Sequence, residues 1–299
     1  MATPRSFSGN QFLFQIDDDD GTPGLLKSVS GGGIAGKLID EGPGSDLRRI
    51  KHVGVVELEK FDLELSLAQA GPFLRWIRES WKRDFARRNG MIVHADFDYC
   101  ERQTQSFQDA LITETKFPAL AGDSKAPAYL TVSIQPEDSE IKKGDGTRIK
   151  GLHQAGEKKW LTSNFRLSVT GIDCTYVSKI DAFSVKQNVK LVYSGENRFP
   201  ELEPTGLEFG DLTVYMALEH ADDFIAWHRE YVLKGGTESQ FEREGAIEFL
   251  APDCDEVLLT IELKNVGIRG LTIDASKAGQ SEIKRAKIDL YVEAMDLAI

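Results

Sequence analysis

The stretch Phe73-Leu74-Arg75-Trp76-Ile77-Arg78-Glu79 returns as Phe224-Ile225-Ala226-Trp227-His228-Arg229-Glu230. The offset is 151 positions (227 − 76), about half of the 299 residues, and five of the seven positions are identical or exchange Leu for Ile. A self-match at half length constrains the fold more than any single motif, because it calls for one architecture built twice. The match runs backward without a gap. Glu57, Leu58, Phe61, Leu63, Leu65, Leu67 and Ala70 fall on Glu208, Phe209, Leu212, Val214, Met216, Leu218 and Ala221.

Each backward run alternates like a half-buried strand. Phe61, Leu63, Leu65 and Leu67 share one side while Asp62, Glu64 and Ser66 share the other, and Leu212, Val214, Met216 and Leu218 repeat the apolar side. Leu58 is out of phase with Phe61, and Phe209 is out of phase with Leu212 in the same way. The shared slip predicts a bulge or bend in both copies.

A helix is predicted after each strand. Ala70-Gly71-Pro72 opens the first, with proline in the first turn, where its missing N–H costs nothing. Phe73, Leu74, Ile77, Trp81 and Phe85 then form an apolar stripe opposite Arg75, Arg78, Glu79, Lys82 and Arg83, to about Ala86. His220-Ala221-Asp222-Asp223 opens the second, with acidic residues at the positive helix end. Phe73, Trp76, Ile77, Phe224, Trp227 and Tyr231 are the candidate structural core of the repeat.

Composition narrows the class. Hydrophobic residues make up 41% and charged residues 28%, so each half can build its own core. The net charge of −12 argues against a nucleic-acid-binding surface, which needs an excess of Lys and Arg. Cys100, Cys174 and Cys254 show neither a CxxC nor a zinc spacing, and an odd count reads as reduced thiols. No apolar run approaches the roughly 18 residues of a membrane helix. Met1 to Gln11 has one Arg and no apolar stretch, so it reads as a flexible arm and not a signal peptide. The expected site of synthesis and folding is a cytoplasm.

Several local features look functional and read better as structure. Asp17 to Asp20, before Gly21-Thr22-Pro23-Gly24, lacks the spaced ligands and closing Glu of a calcium loop and reads as a solvated acidic turn. Gly31-Gly32-Gly33-Ile34-Ala35-Gly36 satisfies GxGxxG, but a dinucleotide loop must open a helix of about three turns. Here Lys37-Leu38-Ile39-Asp40 is followed at once by Glu41-Gly42-Pro43-Gly44, so the expectation is a permissive loop between strands. Asn89-Gly90 reads as a turn before a strand from Met91 to Tyr99. Gly195 to Gly206 reads as a loop with two prolines, and Gly267 to Glu282 as an insertion. Ile141 to Lys159, with six basic residues and four glycines, reads as a solvated connector.

The chain shows no catalytic constellation. His52, His94, His153, His220 and His228 have no metal-spaced partner, and there is neither GxSxG nor a P-loop. His228 occupies the place of Ile77 and reads as a packed helix residue. Glu57, Glu59, Asp62 and Glu64 read as a solvated strand face.

The repeated unit resembles a known family. Phe12-Leu13-Phe14-Gln15-Ile16-Asp17 followed by Leu26-Lys27-Ser28-Val29-Ser30-Gly31 looks like the opening of tail tube proteins of contractile phages and phage-tail-like injection systems. Those proteins begin with an F-x-F-x-V-x-I-D-G strand and an S-E-V-S-G-L segment. The second copy repeats the opening as Phe165-Arg166-Leu167-Ser168-Val169-Thr170-Gly171-Ile172-Asp173 and then Val177-Ser178-Lys179-Ile180. The remaining order is similar too: a variable loop, a strand leading to a Trp-bearing helix, a hairpin and a final alternating strand.

The resemblance implies a mainly β fold with one flanking helix per repeat, as two tandem tail-tube-like β-sandwich or barrel domains. The expected boundaries are 1–140 for copy one, 141–162 for a basic Gly/Lys linker and 163–299 for copy two. It implies an inner tube protein whose rings have six wall positions, filled by three two-domain chains as a homotrimer with pseudo-sixfold symmetry, and then stacked. The candidate ring or edge strands are those of Phe61, Leu63 and Leu65 and of Leu212, Val214 and Met216. The expected partners are the chain itself, sheath proteins and baseplate or hub proteins. DNA or an effector would pass through the lumen without specific binding, and no cofactor, metal or enzymatic activity is expected. The alternatives are a baseplate hub or tube-initiating adaptor ring, and a free two-domain binding module.

Overall fold

In the computed structural model the described residues are 11–17, 24–42, 49–149, 160–195, 198–236, 241–274 and 284–298. The first half contains β1 (Gln11–Ile16), β2 (Gly24–Gly31), β3 (Ile34–Glu41), β4 (Ile50–Leu58), β5 (Phe61–Ser66), α1 (Gly71–Trp81), β6 (Arg88–Ala95), β7 (Glu101–Phe117), β8 (Leu120–Ala121), β9 (Tyr129–Gln135) and β10 (Asp138–Lys143). The second contains β11 (Phe165–Val169), β12 (Val177–Ile180), β13 (Phe183–Val192), β14 (Glu201–Phe209), β15 (Leu212–Ala217), α2 (Asp222–His228), β16 (Arg243–Leu250), β17 (Val257–Ile273) and β18 (Arg285–Ala298). The fold is mainly β with few helices.

The first half closes on itself. Following antiparallel ladders from β1 leads through β2, β5, β9, β7 and β6 and back to β1, a six-stranded barrel. Closure leaves no open sheet edge within the ring. Phe14, Phe61, Leu63, Leu65, Ile92, Phe107, Leu130, Val132 and Ile134 fill it, alternating with more accessible neighbours along β5 and the first part of β9. The second half keeps the order β11-β16-β17-β18-β15-β12, but β11 and β12 share no ladder, so it is a half-barrel.

The two halves agree in detail. Each passes from a strand through a 3-10 turn (Leu67–Gln69, Leu218–His220) into its helix. Each helix is pinned through tryptophan: Trp76 Nε1 donates to the Ala86 carbonyl at 2.7 Å and Trp227 Nε1 to that of Phe241 at 3.1 Å. β7 and β17 are both 17 residues long. Both carry a left-handed residue part-way, Asp109 at φ 48° and Asn265 at φ 51°, a short polar type that tolerates this conformation. β18 spans in one strand what β9 and β10 cover in two. Pro136, which cannot donate to a ladder, interrupts the first-half version.

The structure departs from the sequence reading at several places. The phase slip at Leu58 and Phe209 is not a bulge inside one strand. β4 ends at Leu58 and β14 at Phe209, and β5 and β15 begin afresh in a different ladder, so the chain changes partner there. α1 ends at Trp81, short of Ala86, because Arg83 and Phe85 take positive φ (64° and 46°) and turn the chain away. Asn89-Gly90 lies inside β6, where the Asn89 carboxamide accepts from the Asp109 N–H at 2.8 Å. Of the loop expected from Gly195 to Gly206, Glu201 to Gly206 belong to β14, the outermost strand, where Pro204 is tolerated and which Pro200 precedes.

Gly267 to Ile273, expected to be an insertion, continues β17 against β18. The expected connector is partly strand as well: Ile141 to Lys143 belong to β10, which covers β7 from Gln103 to Gln108. Gly31-Gly32-Gly33-Ile34-Ala35-Gly36 joins β2 to β3 with no helix after it. Gly31 and Gly32 have φ of 82° and 74°, and a Cβ on Gly32 would stand 2.0 Å from the Phe61 ring. Asp18 to Asp20 and the arm before Gln11 lie outside the described residues.

Candidate assembly interface

The two halves exchange strands. The β13–β14 hairpin leaves the second half and pairs with the first: Phe183, Ser184, Val185 and Lys186 of β13 lie opposite Phe117, Lys116, Thr115 and Glu114 of β7. In return, Leu120 and Ala121 of β8 pair with Ile180 and Lys179 of β12. The Gly122 N–H donates to the Ser178 carbonyl at 2.9 Å and continues this contact.

Aromatic side chains hold the junction. Phe117 and Phe183 stack with centroids 5.1 Å apart and planes 10° from parallel. Trp81, at the end of α1, meets Phe117 and Phe209 edge-on, each at 6.1 Å. Pairs of this geometry contribute about 0.5–1.5 kcal/mol each beyond the area they bury. The hairpin thus lies over α1, and Phe183, Val185, Gln187 and Leu202 are buried there.

Polar contacts fix its register. Ser80 Oγ on α1 donates to Gln187 Oε1 at 2.6 Å in a buried setting. Glu137 Oε1 accepts from the Leu202 N–H at 2.8 Å and from Arg87 Nε at 3.2 Å, while Arg87 Nη2 donates to the Leu202 carbonyl at 2.5 Å. Glu114 lies between Lys116 at 3.1 Å and Lys186 at 3.9 Å. At the hairpin's base Asp181 accepts from Tyr215 Oη at 2.9 Å and Lys179 Nζ at 2.6 Å. Burial works to raise the Asp181 pKa, but these two partners outweigh it and hold the carboxyl below its usual range. The bond to Asp181 in turn raises the Tyr215 phenol.

The candidate residues fall in two places. Phe73, Trp76, Ile77, Phe224, Trp227 and Tyr231 are all buried on the inner faces of α1, α2 and the π-helical turn Arg229–Leu233 that extends α2. The Tyr231 hydroxyl bonds that of Tyr291, which also donates to Glu242 at 2.7 Å. Phe61, Leu63, Leu65, Leu212, Val214 and Met216 are buried too, but their strands are not edges in this chain. β5 is flanked by β2 and β9, and β15 by β12 and β18. Strong alternation marks a strand with one face in a core, and such a strand is drawn inside the sheet.

The residues that join the halves, Phe183, Gln187 and Leu202, went unmarked in the sequence. Their signal was the alternation Phe183, Val185, Gln187. Among the described residues no three His, Cys, Asp or Glu are grouped to hold a metal ion, and no helix is long and apolar enough to cross a membrane. Cys174 is buried, which pushes its thiol up to about 11.

Neither a protein-family model nor a curated protein matches the chain. Several solved structures do. A chain of the anti-feeding prophage baseplate is 17% identical, with 48% of this chain and 98% of that chain covered and a TM-score of 0.40. A chain of the cap that terminates the anti-feeding prophage tube is 14% identical, with coverages of 48% and 95% and a TM-score of 0.41. Hcp1 from Flavobacterium johnsoniae is 15% identical, with coverages of 45% and 96% and a TM-score of 0.30.

Proposed function

We propose that this chain is a structural ring component of a phage-tail-like injection machine, its two halves being duplicated tube-like domains and three chains making one pseudo-sixfold ring. The observation that carries the reading is the passage of the β13–β14 hairpin from one half onto β7 and α1 of the other. That contact is heterologous: a projecting hairpin of one unit meets a sheet edge of a like unit. Repeated around an axis, such contacts generate rings when the rotation closes. The Phe12-x-Phe14 and Phe165-x-Leu167 openings and the Val-Ser pair that follows each, which resemble tail tube proteins, supply the expectation of six wall positions, filled here two per chain.

In this reading the rings stack around a lumen inside a sheath and meet baseplate or hub proteins at their ends. The net charge of −12 suits a wall past which a polyanion or an acidic effector moves without sticking. The chain is made in the bacterial cytoplasm and ends up in the assembled particle, where it acts structurally and not as an enzyme.

Negative-stain electron microscopy with solution mass tests this. Rings with a stain-filled hole and three chains per ring are expected, and long stacks would mark a tube protein. Single rings that never stack would shift the assignment to a hub or adaptor. A monomer at every concentration would refute the ring and favour a free binding module.

A further inference from the structure

The chain has two hairpins of one design. β13 and β14 pair Val185 with Phe209, Val189 with Pro204 and Val192 with Glu201; β3 and β4 pair Ile34 with Leu58, Leu38 with Val53 and Glu41 with Ile50. All six positions differ by the repeat offset (185 − 34 = 151; 209 − 58 = 151), and both ladders slip in the same central region. Their surroundings are opposite. The β13–β14 hairpin is docked, and Phe183 is only 5% exposed. The β3–β4 hairpin forms a two-stranded sheet that joins no other among the described residues, exposed along all of β3. Leu38, Ile39, Ile50 and Val53 (63% exposed) all face solvent. A lone hairpin is marginal in water, and contiguous exposed apolar side chains mark a contact surface.

The receiving edge is also present twice. The end of β7 has β9 on one side and β13 on the other. The matching end of β17, Gly267 to Ile273, has β18 on one side and no strand on the other among the described residues. β7 and β17 correspond at an offset of 156 (257 − 101), so Ile273 stands for Phe117. Where Phe117 and Trp81 are covered by the docked hairpin, Ile273 is 49% exposed, and Val232 and Leu233 at the end of the second helix are exposed as well. Side-chain size is complementary. Gln187 meets Ser80 in the filled contact, whereas the vacant one would place Gly36 of the hairpin toward Tyr231 of the helix.

We propose that the β3–β4 hairpin of one chain docks on the free edge of β17 and the end of the second helix of another copy. The filled contact sets the register: Val185 opposite Thr115 becomes Ile34 opposite Leu271, and Lys186 opposite Glu114 becomes Ala35 opposite Gly270. The open end of one chain thereby completes the open end of the next, as the two halves already do within a chain. This deepens the ring reading above and rests on it.

Engineered disulfides test the register. In a Cys100→Ser, Cys254→Ser background, Ile34→Cys is combined with Leu271→Cys, and separately Ala35→Cys with Gly270→Cys. Adjacent antiparallel pairs alternate between wide and close spacing, so one of the two pairs has the closer, linkable geometry. A Cβ on Gly270 meets Asp289 only at ordinary contact distance, 3.7 Å. Oxidation is expected to produce a covalent trimer with at least one pair, and none with Glu41→Cys plus Leu271→Cys, about 20 Å out of register. In the unmodified chain, the amides of Ile34 to Lys37 are expected to gain protection from hydrogen exchange as concentration rises.

Three-chain rings with neither link nor added protection would overturn the hairpin docking and leave the ring standing. Links that give open chains of mixed length would uphold the docking and overturn the closed ring. Monomers with no link and no protection would overturn both.

Discussion

Removing the Phe183 ring puts the strand exchange to a quantitative test. The side chain is buried, stacks on Phe117 at 5.1 Å and belongs to the four-residue ladder that fastens β13 to β7. Phe→Ala at such a site costs about 3–5 kcal/mol, from lost burial, lost ring contact and the cavity left behind. The loss falls on the junction, because Phe183 pairs with and stacks on Phe117 at the end of β7, where β13 docks. It therefore lowers the free energy of local hairpin opening before that of global unfolding. A fall of about 3 kcal/mol raises the population of the opened hairpin on the order of a hundredfold, at about 1.4 kcal/mol per factor of ten. Hydrogen exchange read by mass spectrometry should show peptides from 183–192 and 201–209 exchanging faster by about that factor in Phe183→Ala. Peptides from β5 and β9 should change far less. An equal acceleration in all strands, or none in the hairpin, would refute the claim that the hairpin is a separately docked element.

Three further outcomes are expected. Trp76→Ala and Trp227→Ala each remove a buried indole and its hydrogen bond to Ala86 or Phe241, and each should cost about 3–5 kcal/mol in urea unfolding; losses below about 1 kcal/mol in both would remove the physical basis of the repeat. His94 is half-buried against Phe12, and burial holds its pKa below the ordinary imidazole value. The unfolded chain then binds the extra proton first, so stability is full above about pH 6.5 and declines as pH falls toward the folded pKa. His94→Phe should flatten that part of the urea-midpoint profile, and an unchanged slope would disprove the assignment. Gly32→Ala places a Cβ against the Phe61 ring at a positive φ and should lower the melting temperature, whereas Gly42→Ala, with open space around it, should not.

Legibility from sequence tracked the range of the interactions. Trp76 and Trp227 could be placed in the core from helical spacing alone, and β5 and β15 from alternation alone, because those patterns depend on neighbours a few residues away. The Gly31 to Gly36 run could be separated from a nucleotide loop because Lys37 to Asp40 is too short a segment for a helix. The length of β7 and β17 was hidden by Asp109 and Asn265, whose left-handed turns break the alternation without ending the strand. The end of α1 and the start of β10 were hidden by side-chain contacts and pairing partners that lie far off in the chain.

The sequence by itself showed a self-match at half length and a mainly β pattern in which each matched strand leads to a tryptophan-bearing helix. Only the tertiary structure decided which unit each strand serves. Ile34–Leu58 and Val185–Phe209 are hairpins of the same register, yet among the described residues one joins no other sheet and the other crosses to β7. Local pattern sets whether a segment is extended and which face is apolar. The neighbour it pairs with depends on where a complementary edge is vacant, and that is a property of the folded chain.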